Sequence, residues 1–532
     1  MTAAKPLLPA AESDLPEGWA LTTISDVTET IPNLNPETAP DRMFGYVDIS
    51  SICNKTFKIT DAKSFRGKDA PSRARRPIKA GDVLFSNVRT YLRNIALVPN
   101  NLDAELCSTG FTVLRSNGAI EPELLFYEVL TDRLIDLVTP QQTGSQYPAT
   151  SDRVVMSATV PVPPLAEQKR IVENVDQLLA RVDSARERLG RVPLILKRFR
   201  QAVLAAACSG RLTADWRKQR DLVPVARRLD TFQVRTDGLK TRRGVPTEVE
   251  ITDELANLAL PSTWSLQSVA SLLKLGVLID LKDGNHGSNH PKSKDFGDTG
   301  LPFITAAQVR DYNIDYDGAP KVTGEPLKQL RVGFAQPGDA ILTHKGTVGR
   351  AALNTRPCVL TPQTTYYRCK PEILDSRYLV YFFTSPLFYS QLAAVMSQTT
   401  RDFVPISEQY RLFFLIPTPA EQHEIVHRID ALFKLAYAIE KRVAAATIRS
   451  EKLTQAILAK AFRGELVPTE AELARREGRS YEPASALLDR IRADRESSKA
   501  AHNESRPDGH DQQERRWQKK AAKRIRRSSS KS

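Results

Sequence analysis

The chain has 532 residues, of which 41% are hydrophobic and 26% charged, so it is an ordinary globular protein rather than a disordered or collagen-like chain. No run approaches the ~18 consecutive apolar residues of a membrane span. The N-terminus does not resemble a secretory signal, and five cysteines without a CxxC pair fit a reducing compartment, so we expect a cytoplasmic protein. The net charge is +14, but residues 515–532 hold nine lysines and arginines and no acid, which leaves +5 for the rest of the chain.

The first globular domain is predicted over residues 15–162, after an N-terminal arm at residues 1–14. Short apolar runs broken by Gly, Pro, Asn and Asp are typical of strands, and they read FGYVDIS, DVLFSNV and GFTVLR. A stretch with helical character, EPELLFYEVLTDRLIDLV, follows them. This alternation predicts a mixed α/β fold of the α+β kind.

A long helix is predicted next, over residues 163–210. Positions spaced by four and three from Ile171 to Val203 are all apolar, which is the a/d seam of a coiled coil, while charged residues such as Arg186 occupy other faces. Pro193 lies inside this helix, and we expect it to kink or break it. Ordinary helix packing within a core is the alternative, and the heptads alone do not decide between parallel and antiparallel pairing.

A polar connector at residues 211–259 precedes a second domain at residues 260–417, where LPFITA, DAILTHK and TYYRCK again predict strands. A second long helix is predicted over residues 418–464. It opens with Thr418-Pro-Ala-Glu421, a capping box with Pro at the first helical position. Its seam, which includes Leu453, is apolar at nine of ten positions.

The remaining chain divides into a C-terminal segment at residues 465–497 and a basic tail at residues 498–532. The segment has one short helical pattern at residues 483–495. The tail is poor in apolar residues, so we expect it to be disordered.

The two halves of the chain repeat each other. The segments that begin at Gln168, Gln201 and Gly210 return 254 residues later as QHEIV, QAIL and GEL. Upstream, LPEGWALTTISDV resembles LPSTWSLQSVASL, which begins 245 residues after it. We therefore predict a pseudo-two-fold repeat in which each globular domain is followed by a long helix.

The second long helix contains a match to the HExxH zinc pattern, from His423 to His427. With Ile425 on the seam, both histidines point into solvent, and the first copy has Lys169 and Glu173 at these positions. We therefore reject a metal site there.

Other catalytic signatures are lacking in the sequence. There is no GxxxxGK[ST] loop, no GxSxG elbow and no Asn/Asp-Pro-Pro-aromatic motif, so the usual residues for ATP hydrolysis, acyl transfer and base methylation are missing. His286 and His290 stand four apart in a loop rich in Gly and Asn, where a loop role or contact with DNA is favoured over a ligand pair. Two variable domains on regular helices indicate a recognition protein.

These residues resemble the specificity subunits of type I restriction-modification systems from about Leu15 to about Arg495. The resemblance rests on VPVPPLAEQKRIVENVDQL with LIPTPAEQHEIVHRIDALF, on LKRFRQAVLAAACSGRLTADW with SEKLTQAILAKAFRGELVPTE, on GDVLFSNVRTYLR with GDAILTHKGTVGR, and on GSQYPATSDRV. It implies that the two globular domains are target-recognition domains and that the long helices pair as an antiparallel coiled coil that spaces them.

The resemblance also implies a function and partners. Each target-recognition domain would read one half of a bipartite, asymmetric target in double-stranded DNA. Two methyltransferase (modification) subunits and an ATP-dependent restriction and translocase subunit would dock on the chain, which would itself be no enzyme. S-adenosylmethionine, ATP and Mg²⁺ would belong to those partners, so no cofactor is expected on this chain.

Loop residues with basic, amide, hydroxyl or aromatic side chains are the candidates for contact with DNA. In the first domain they are Asn87, Arg89, Tyr91, Arg93, Gln141, Gln142, Ser145, Gln146 and Tyr147, with Arg73, Arg75 and Arg76 as phosphate clamps. In the second domain they are Asn285, His286, His344, Lys345, Arg350, Gln398, Thr400 and Arg401.

Two other functions stay open at this point. The chain could be a non-catalytic coiled-coil scaffold whose globular halves bind protein partners, and duplex-binding assays would separate this scaffold from a DNA reader. A fused restriction and methylation enzyme would need methyl-transfer motifs, which the sequence does not contain.

Overall fold

The computed structural model describes residues 14–144, 146, 148–232, 245–286, 290–398 and 402–504. The chain divides into two compact units. The first unit comprises residues 1–188 and 446–532, and the second unit comprises residues 189–445. Each unit therefore holds one globular domain together with one half of each long helix.

The strands of the first unit form small sheets. They are β1 Ala20–Thr23, β2 Met43–Val47, β3 Ile52–Cys53, β4 Lys58–Ile59, β5 Lys63–Arg66, β6 Ala74–Ile78, β7 Val83–Ser86, β8 Ile95–Leu97, β9 Glu105–Ser108, β10 Phe111–Leu114 and β11 Thr159–Val162. The sheet orders are β5-β2-β9-β6, β10-β7-β8, β1-β11 and β3-β4. Since β2 and β9 are parallel and the other pairs are antiparallel, the sheets are mixed.

The second unit has a larger mixed set of strands. They are β12 Ser265–Ser268, β13 Leu278–Asp283, β14 Phe296–Gly297, β15 Leu301–Ile304, β16 Val309–Arg310, β17 Asn313–Ile314, β18 Lys321–Val322, β19 Phe334–Ala335, β20 Ala340–Lys345, β21 Thr347–Leu353, β22 Cys358–Leu360, β23 Thr364–Cys369, β24 Ser397–Gln398, β25 Asp402–Phe403 and β26 Phe413–Ile416. The orders are β13-β23-β20-β25-β24 with β21 also on β20, β14-β18-β15-β22-β19, β12-β26 and β16-β17.

The two units also contain α-helices of 4 to 44 residues. They are α1 Pro122–Val129, α2 Asp132–Val138, α3 Asp152–Met156, α4 Leu165–Cys208, α5 Ala214–Lys218, α6 Val225–Leu229, α7 Asp253–Ala256, α8 Val269–Lys274, α9 Gly324–Lys328, α10 Ser376–Phe383, α11 Pro386–Val395, α12 Ile406–Gln409, α13 Pro419–Ala461, α14 Glu470–Glu477 and α15 Ala484–Glu504. None of the described helices is long and apolar enough to cross a membrane.

The predicted repeat is confirmed by the strand register inside each unit. The first strand of each domain pairs antiparallel with the strand that leads into its long helix. Ala20 lies opposite Val162 in β1-β11, and Ser265 lies opposite Ile416 in β12-β26. These partners differ by the same offsets of 245 and 254 that relate the two halves of the sequence.

The two long helices run antiparallel within each unit. In the first unit Arg170 of α4 donates to the carbonyl of Pro468, just after α13, and Arg186 donates to the carbonyl of Ser450 at 2.7 Å. A later position on α4 thus meets an earlier one on α13, which is the antiparallel order. In the second unit Arg200 bonds both carboxylate oxygens of Glu440, at 2.7 and 2.9 Å.

Of the kink or break expected at Pro193, the break is wrong, because α4 continues through this residue. Proline has no N–H, so the carbonyl of Leu189, one turn earlier, loses its helical donor. The Pro193 side chain is exposed, as are Leu194 and Ile195 beside it. The ring therefore lies on the solvent face of the helix, away from the packed seam.

The seam differs from its prediction near Leu453. Leu453 is 49% exposed, whereas Ser450 and Thr454 are buried. Arg186, predicted on another face, spans this layer and also donates to Thr454 Oγ1 at 2.9 Å. A polar layer therefore replaces an apolar contact here, because a guanidinium inserted between the helices finds hydroxyl and carbonyl acceptors.

A buried Trp–Glu pair joins each domain to its long helix. Trp19 Nε1 donates to Glu167 at 3.0 Å in the first unit, and Trp264 Nε1 donates to Glu421 at 2.8 Å in the second. Both carboxylates are fully buried. Since buried polar groups need partners, these bonds fix the strand that begins each domain against the start of its helix.

Only half of the capping box predicted for α13 is formed. The Thr418 hydroxyl accepts from the backbone N–H of Glu421 at 3.4 Å. The Glu421 carboxylate does not return to Thr418. It accepts from Trp264, from Thr213 Oγ1 at 2.7 Å and from Arg217. Donors from distant parts of the chain therefore bind this carboxylate in place of the backbone N–H of Thr418.

The C-terminal segment packs against the domain that begins the chain. The backbone N–H of Ala484 donates to the Gly18 carbonyl at 2.9 Å, and Ala484 and Leu488 are buried in the first unit's core. The last helix is longer than expected, since α15 runs through Glu504 into the predicted tail. Residues 1–13 and 505–532 lie outside the described residues.

Candidate nucleic-acid interface

Predicted recognition segments of the first domain come together in the structure. The backbone N–H of Arg89 donates to the Pro148 carbonyl at 2.8 Å, and that of Thr150 donates to the Asn87 carbonyl at 2.8 Å. Asn87 in turn donates from its backbone to Gly110 at 2.9 Å. We name this group of loops, residues 86–93 with 141–144, 146 and 148–150, the first loop cluster. It contains seven of the twelve positions at which the sequence predicted contact of the first domain with DNA.

A hydrogen-bonded group centred on the half-buried Asp152 supports this cluster. Asp152 accepts from Asn87 Nδ2 at 2.8 Å, from Arg76 at 2.5 Å and from Thr112 Oγ1 at 2.8 Å. Asn87 is only 6% exposed and also accepts from Thr112. Because these groups are engaged inside the domain, the structure argues against direct contact of Asn87 with bases and of Arg76 with phosphate.

The exposed tip of the first loop cluster is a strained turn. Arg89 and Arg93 both adopt left-handed backbone conformations, with φ of 50° and 53°, which non-glycine residues rarely do. Between them Tyr91 and Leu92 are 51% and 38% exposed. Thr90 is buried and bonded to Thr139 at 2.8 Å. Strain of this kind persists where the surroundings hold it and is common at functional sites.

The other predicted residues of the first domain differ in their exposure and in their partners. Arg93 contacts the Leu130 carbonyl and Asp132, Gln142 Nε2 donates to Thr90, Gln141 donates to Leu137, and Gln146 is exposed. Arg73 is exposed, and Arg75 pairs with Glu37 at 3.3 Å. Ser145 and Tyr147 lie outside the described residues.

The second domain repeats the backbone frame of the first. His344 donates to the Gln363 carbonyl at 2.9 Å and accepts from Val404 at 2.9 Å, and Gly346 donates to Asp402 at 2.9 Å. His344 and Gly346 follow Asn87 and Arg89 by 257 residues, and their partners follow Thr150 and Pro148 by 254. We name residues 344–349 with 402–404 the second loop cluster. Its frame is that of the first, while its side chains differ.

His344 itself is buried and supports the loop. It is 0% exposed, and Nδ1 lies 2.9 Å from the Val404 carbonyl, so that nitrogen carries the proton. Burial lowers the pKa of His344, and the bond to Val404 opposes this shift only in part. The structure therefore argues against base contact by His344. Its neighbour Lys345 is exposed, with Nζ 5.4 Å from the Phe403 ring centroid.

The remaining predicted residues of the second domain separate into three groups. Asn285 is 6% exposed and bonds Val332 at 2.6 Å and Arg331 at 3.0 Å, which indicates a structural role. His286 and Arg350 are exposed, and His286 lies 2.6 Å from Asp283. Gln398 lies in β24, and Thr400 and Arg401 lie outside the described residues.

The HExxH segment has the orientation expected from its heptad. His423 is 72% exposed and lies 3.3 Å from Asp375, His427 is exposed, and Glu424 pairs with Arg428 at 2.6 Å. Among the described residues no cluster of three or more His, Cys, Asp or Glu side chains is placed to hold a metal ion.

The buried His344 predicts a pH-dependent stability. Its folded pKa lies below the ordinary value of 6.5, so below that pH the unfolded chain binds a proton that the folded chain does not. Stability should therefore fall as the pH drops below about 6.5, by up to about 1.4 kcal/mol per pH unit. Urea unfolding at pH 7.5, 6.5 and 5.5 should show a flatter profile in His344→Gln. Parallel profiles for variant and wild type would contradict this role.

Comparisons with known proteins agree with this architecture. The model of the type I restriction modification DNA specificity domain matches residues 16–192. The chain is 31% identical over 358 residues to the EcoBI specificity subunit of Escherichia coli, covering 65% of this chain and 67% of that one. It is 26% identical over 519 residues to the EcoKI specificity subunit of Escherichia coli (strain K12), covering 91% and 97%.

A solved structure shows the same fold. A chain from a structure concerned with complex assembly and conformational transition of the type I R-M system has a TM-score of 0.64 and 28% identity, covering 85% of this chain and 99% of that one. With the paired long helices and repeated domains described above, the chain belongs to the family of type I restriction enzyme specificity subunits.

Proposed function

We propose that this chain is the sequence-reading subunit of a type I restriction-modification complex and that each loop cluster reads one half of a bipartite DNA target. The observation that carries this proposal is the shared backbone frame of the two clusters. Equivalent frames with different side chains suit two readers of different sequences. Tyr91 and Leu92 are exposed at the tip of the first cluster, whereas the equivalent residues of the second, 257 positions later, are the half-buried Val348 and Gly349.

The proposed DNA target is therefore asymmetric. Methylation and restriction of the DNA are carried out by partner subunits and not by this chain. Two methyltransferase subunits and an ATP-dependent restriction subunit are the proposed partners, and S-adenosylmethionine, ATP and Mg²⁺ are their cofactors, all in the cytoplasm. The absence of catalytic motifs from the sequence supports this division of labour. A scaffold that binds only proteins does not require an exposed Tyr91 between two arginines in left-handed conformations.

The first expected result is that the purified chain alone does not methylate DNA. With its methyltransferase partner it should direct methylation to one bipartite sequence, which sequencing of methylated bases in a host with and without the chain would reveal. The partner alone should leave that sequence unmodified. Methylation by the isolated chain would contradict the proposal, and so would a methylation pattern that does not depend on the chain.

Arg89→Ala should affect only the first half-site. If the guanidinium bonds a guanine through two N–H groups, the change should cost about 1–3 kcal/mol at one base position. Arg89 Nη2 also donates to the Gln146 carbonyl at 3.2 Å, so the variant tests the loop as well as the contact. Lys345→Ala is the matched control, since it should affect only the second half-site. The measurement is the affinity of each variant for duplexes that are mutated in one half-site. An equal loss of discrimination at both half-sites would contradict the proposal that the two domains read independently.

A further inference from the structure

A cavity of 1020 Å³ lies in the second unit, beside the second loop cluster. Its walls are α4, the turn between β16 and β17, the middle of β21, and α11 with the residue Thr384 before it. Lys197, Arg310, Arg350 and Tyr389 are among the residues that line it.

The cavity is rich in cations without acidic partners. Lys197, Arg310 and Arg350 are all exposed, and none of them forms an ion pair with a carboxylate in the described part of the chain. Asp311 is the acid among the lining residues. Its negative charge also acts on Arg200, whose pKa it helps to raise. An excess of unpaired positive charge in a concave surface attracts anions.

The turn that forms one wall is held rigidly. Asp311 and Tyr312 have φ of 47° and 65°, so two successive non-glycine residues adopt left-handed conformations. The Tyr312 ring packs at 5.3 Å from Tyr381 and 5.5 Å from Phe433. This packing maintains the strained turn and with it the position of Arg310.

The first unit has a comparable cavity with a different charge pattern. That cavity, of 570 Å³, is lined by Phe57, which has φ of 55° and stands 254 residues before Asp311. Its lining holds the acids Asp176 and Asp183 beside three cations, Lys55, Lys58 and Arg186, whereas Asp311 is the acid that faces the three cations of the second unit. The cations therefore outnumber the acids by one in the first cavity and by two in the second.

We propose that the cavity of the second unit binds phosphate oxygens of the DNA backbone, next to the bases that the second loop cluster reads. This inference rests on the proposed function. The cavity is continuous with the second loop cluster, because β21 begins at Thr347 in that cluster and carries Arg350 into the cavity. Lys197 would make the long helix itself a DNA-binding element. Contacts of this kind fix register without reading sequence.

The test uses the full chain assembled with its methyltransferase partner and measures affinity for target and scrambled duplexes between 50 and 200 mM salt. Lys197→Gln and Arg310→Gln should each lower the affinity of the complex for the target and for the scrambled duplex by the same factor. Each should also make the plot of log affinity against log salt shallower by about 0.9. Lys328→Gln is the control, since Lys328 is exposed in the same unit but pairs with Glu325 at 3.6 Å.

Unchanged affinity and an unchanged salt slope in both cavity variants would overturn the proposal. Loss of subunit assembly with the wild-type slope in the remaining complex would also overturn it and would favour an acidic peptide as the occupant. If wild type prefers its target and the variants keep its slope, only the cavity proposal fails. If wild type does not discriminate between the duplexes, the proposed function fails, while the slopes still test phosphate binding.

Discussion

Replacing Glu421 by alanine should lower the free energy of unfolding by about 3–5 kcal/mol. The carboxylate is fully buried and accepts hydrogen bonds from Trp264, Thr213 and Arg217. Its removal leaves a partly buried guanidinium without its counter-charge and two donors without an acceptor. Breaking a buried pair costs more than the pair contributes, since desolvation of the remaining charge is no longer compensated.

The matched control is Glu408→Ala in the same unit. Glu408 is exposed enough to be solvated and lies 3.7 Å from Arg411 one turn away, so its loss should cost no more than about 1 kcal/mol. Urea unfolding followed by circular dichroism and by tryptophan fluorescence would measure both variants. A loss below about 1 kcal/mol for Glu421→Ala would show that the Trp–Glu pair does not hold the domain to its helix.

This junction illustrates what the sequence could predict. The repeated segments that contain Trp19 with Glu167 and Trp264 with Glu421 were visible as a repeat, and so were both long helices. Periodicity and offsets are properties of the chain and do not need tertiary structure. The hydrogen-bond partner predicted for the Glu421 carboxylate was wrong. A capping box is defined by local spacing alone, whereas three donors from elsewhere in the fold bind this carboxylate in place of the local N–H.

The recognition residues were harder to predict for a physical reason. Asn87, Asn285 and His344 have the side chains of DNA-contacting residues, yet each is buried and bonded inside its domain. Loop composition does not reveal burial. Equivalence in the repeat was the available signal, since Asn87 and His344 are related by 257 residues and both support a loop from behind.

Two of the three cavity cations, Lys197 and Arg310, were missed for a related reason, whereas Arg350 was among the predicted residues. Lys197 lies on the long helix, and Arg310 lies in a short hairpin 113 residues later. Only the fold of the second unit brings them to one surface. A site assembled from separate elements has no sequence spacing that a motif could match.

Lengthening both long helices together should lengthen the unread spacer of the DNA target. Four residues inserted after Arg188 in α4 and four after Ala445 in α13 add about 6 Å of helical rise to each, which is near two base pairs at about 3.4 Å each. Both insertions fall at the boundary between the units. The bonds of Arg186 to Ser450 and of Arg200 to Glu440 are therefore left intact within their units.

The control places the same insertion in α13 alone, near Ala446. The helices are antiparallel within each unit, so extra residues in one of them must bulge out or shift the pairing past its partner. That variant should lose stability and activity instead of gaining a longer spacer. Sequencing of methylated bases gives the target of each variant, and the paired insertion should keep both half-sites with about two more bases between them. Retained activity with the original spacer would show that the helices do not set the distance between the two half-sites.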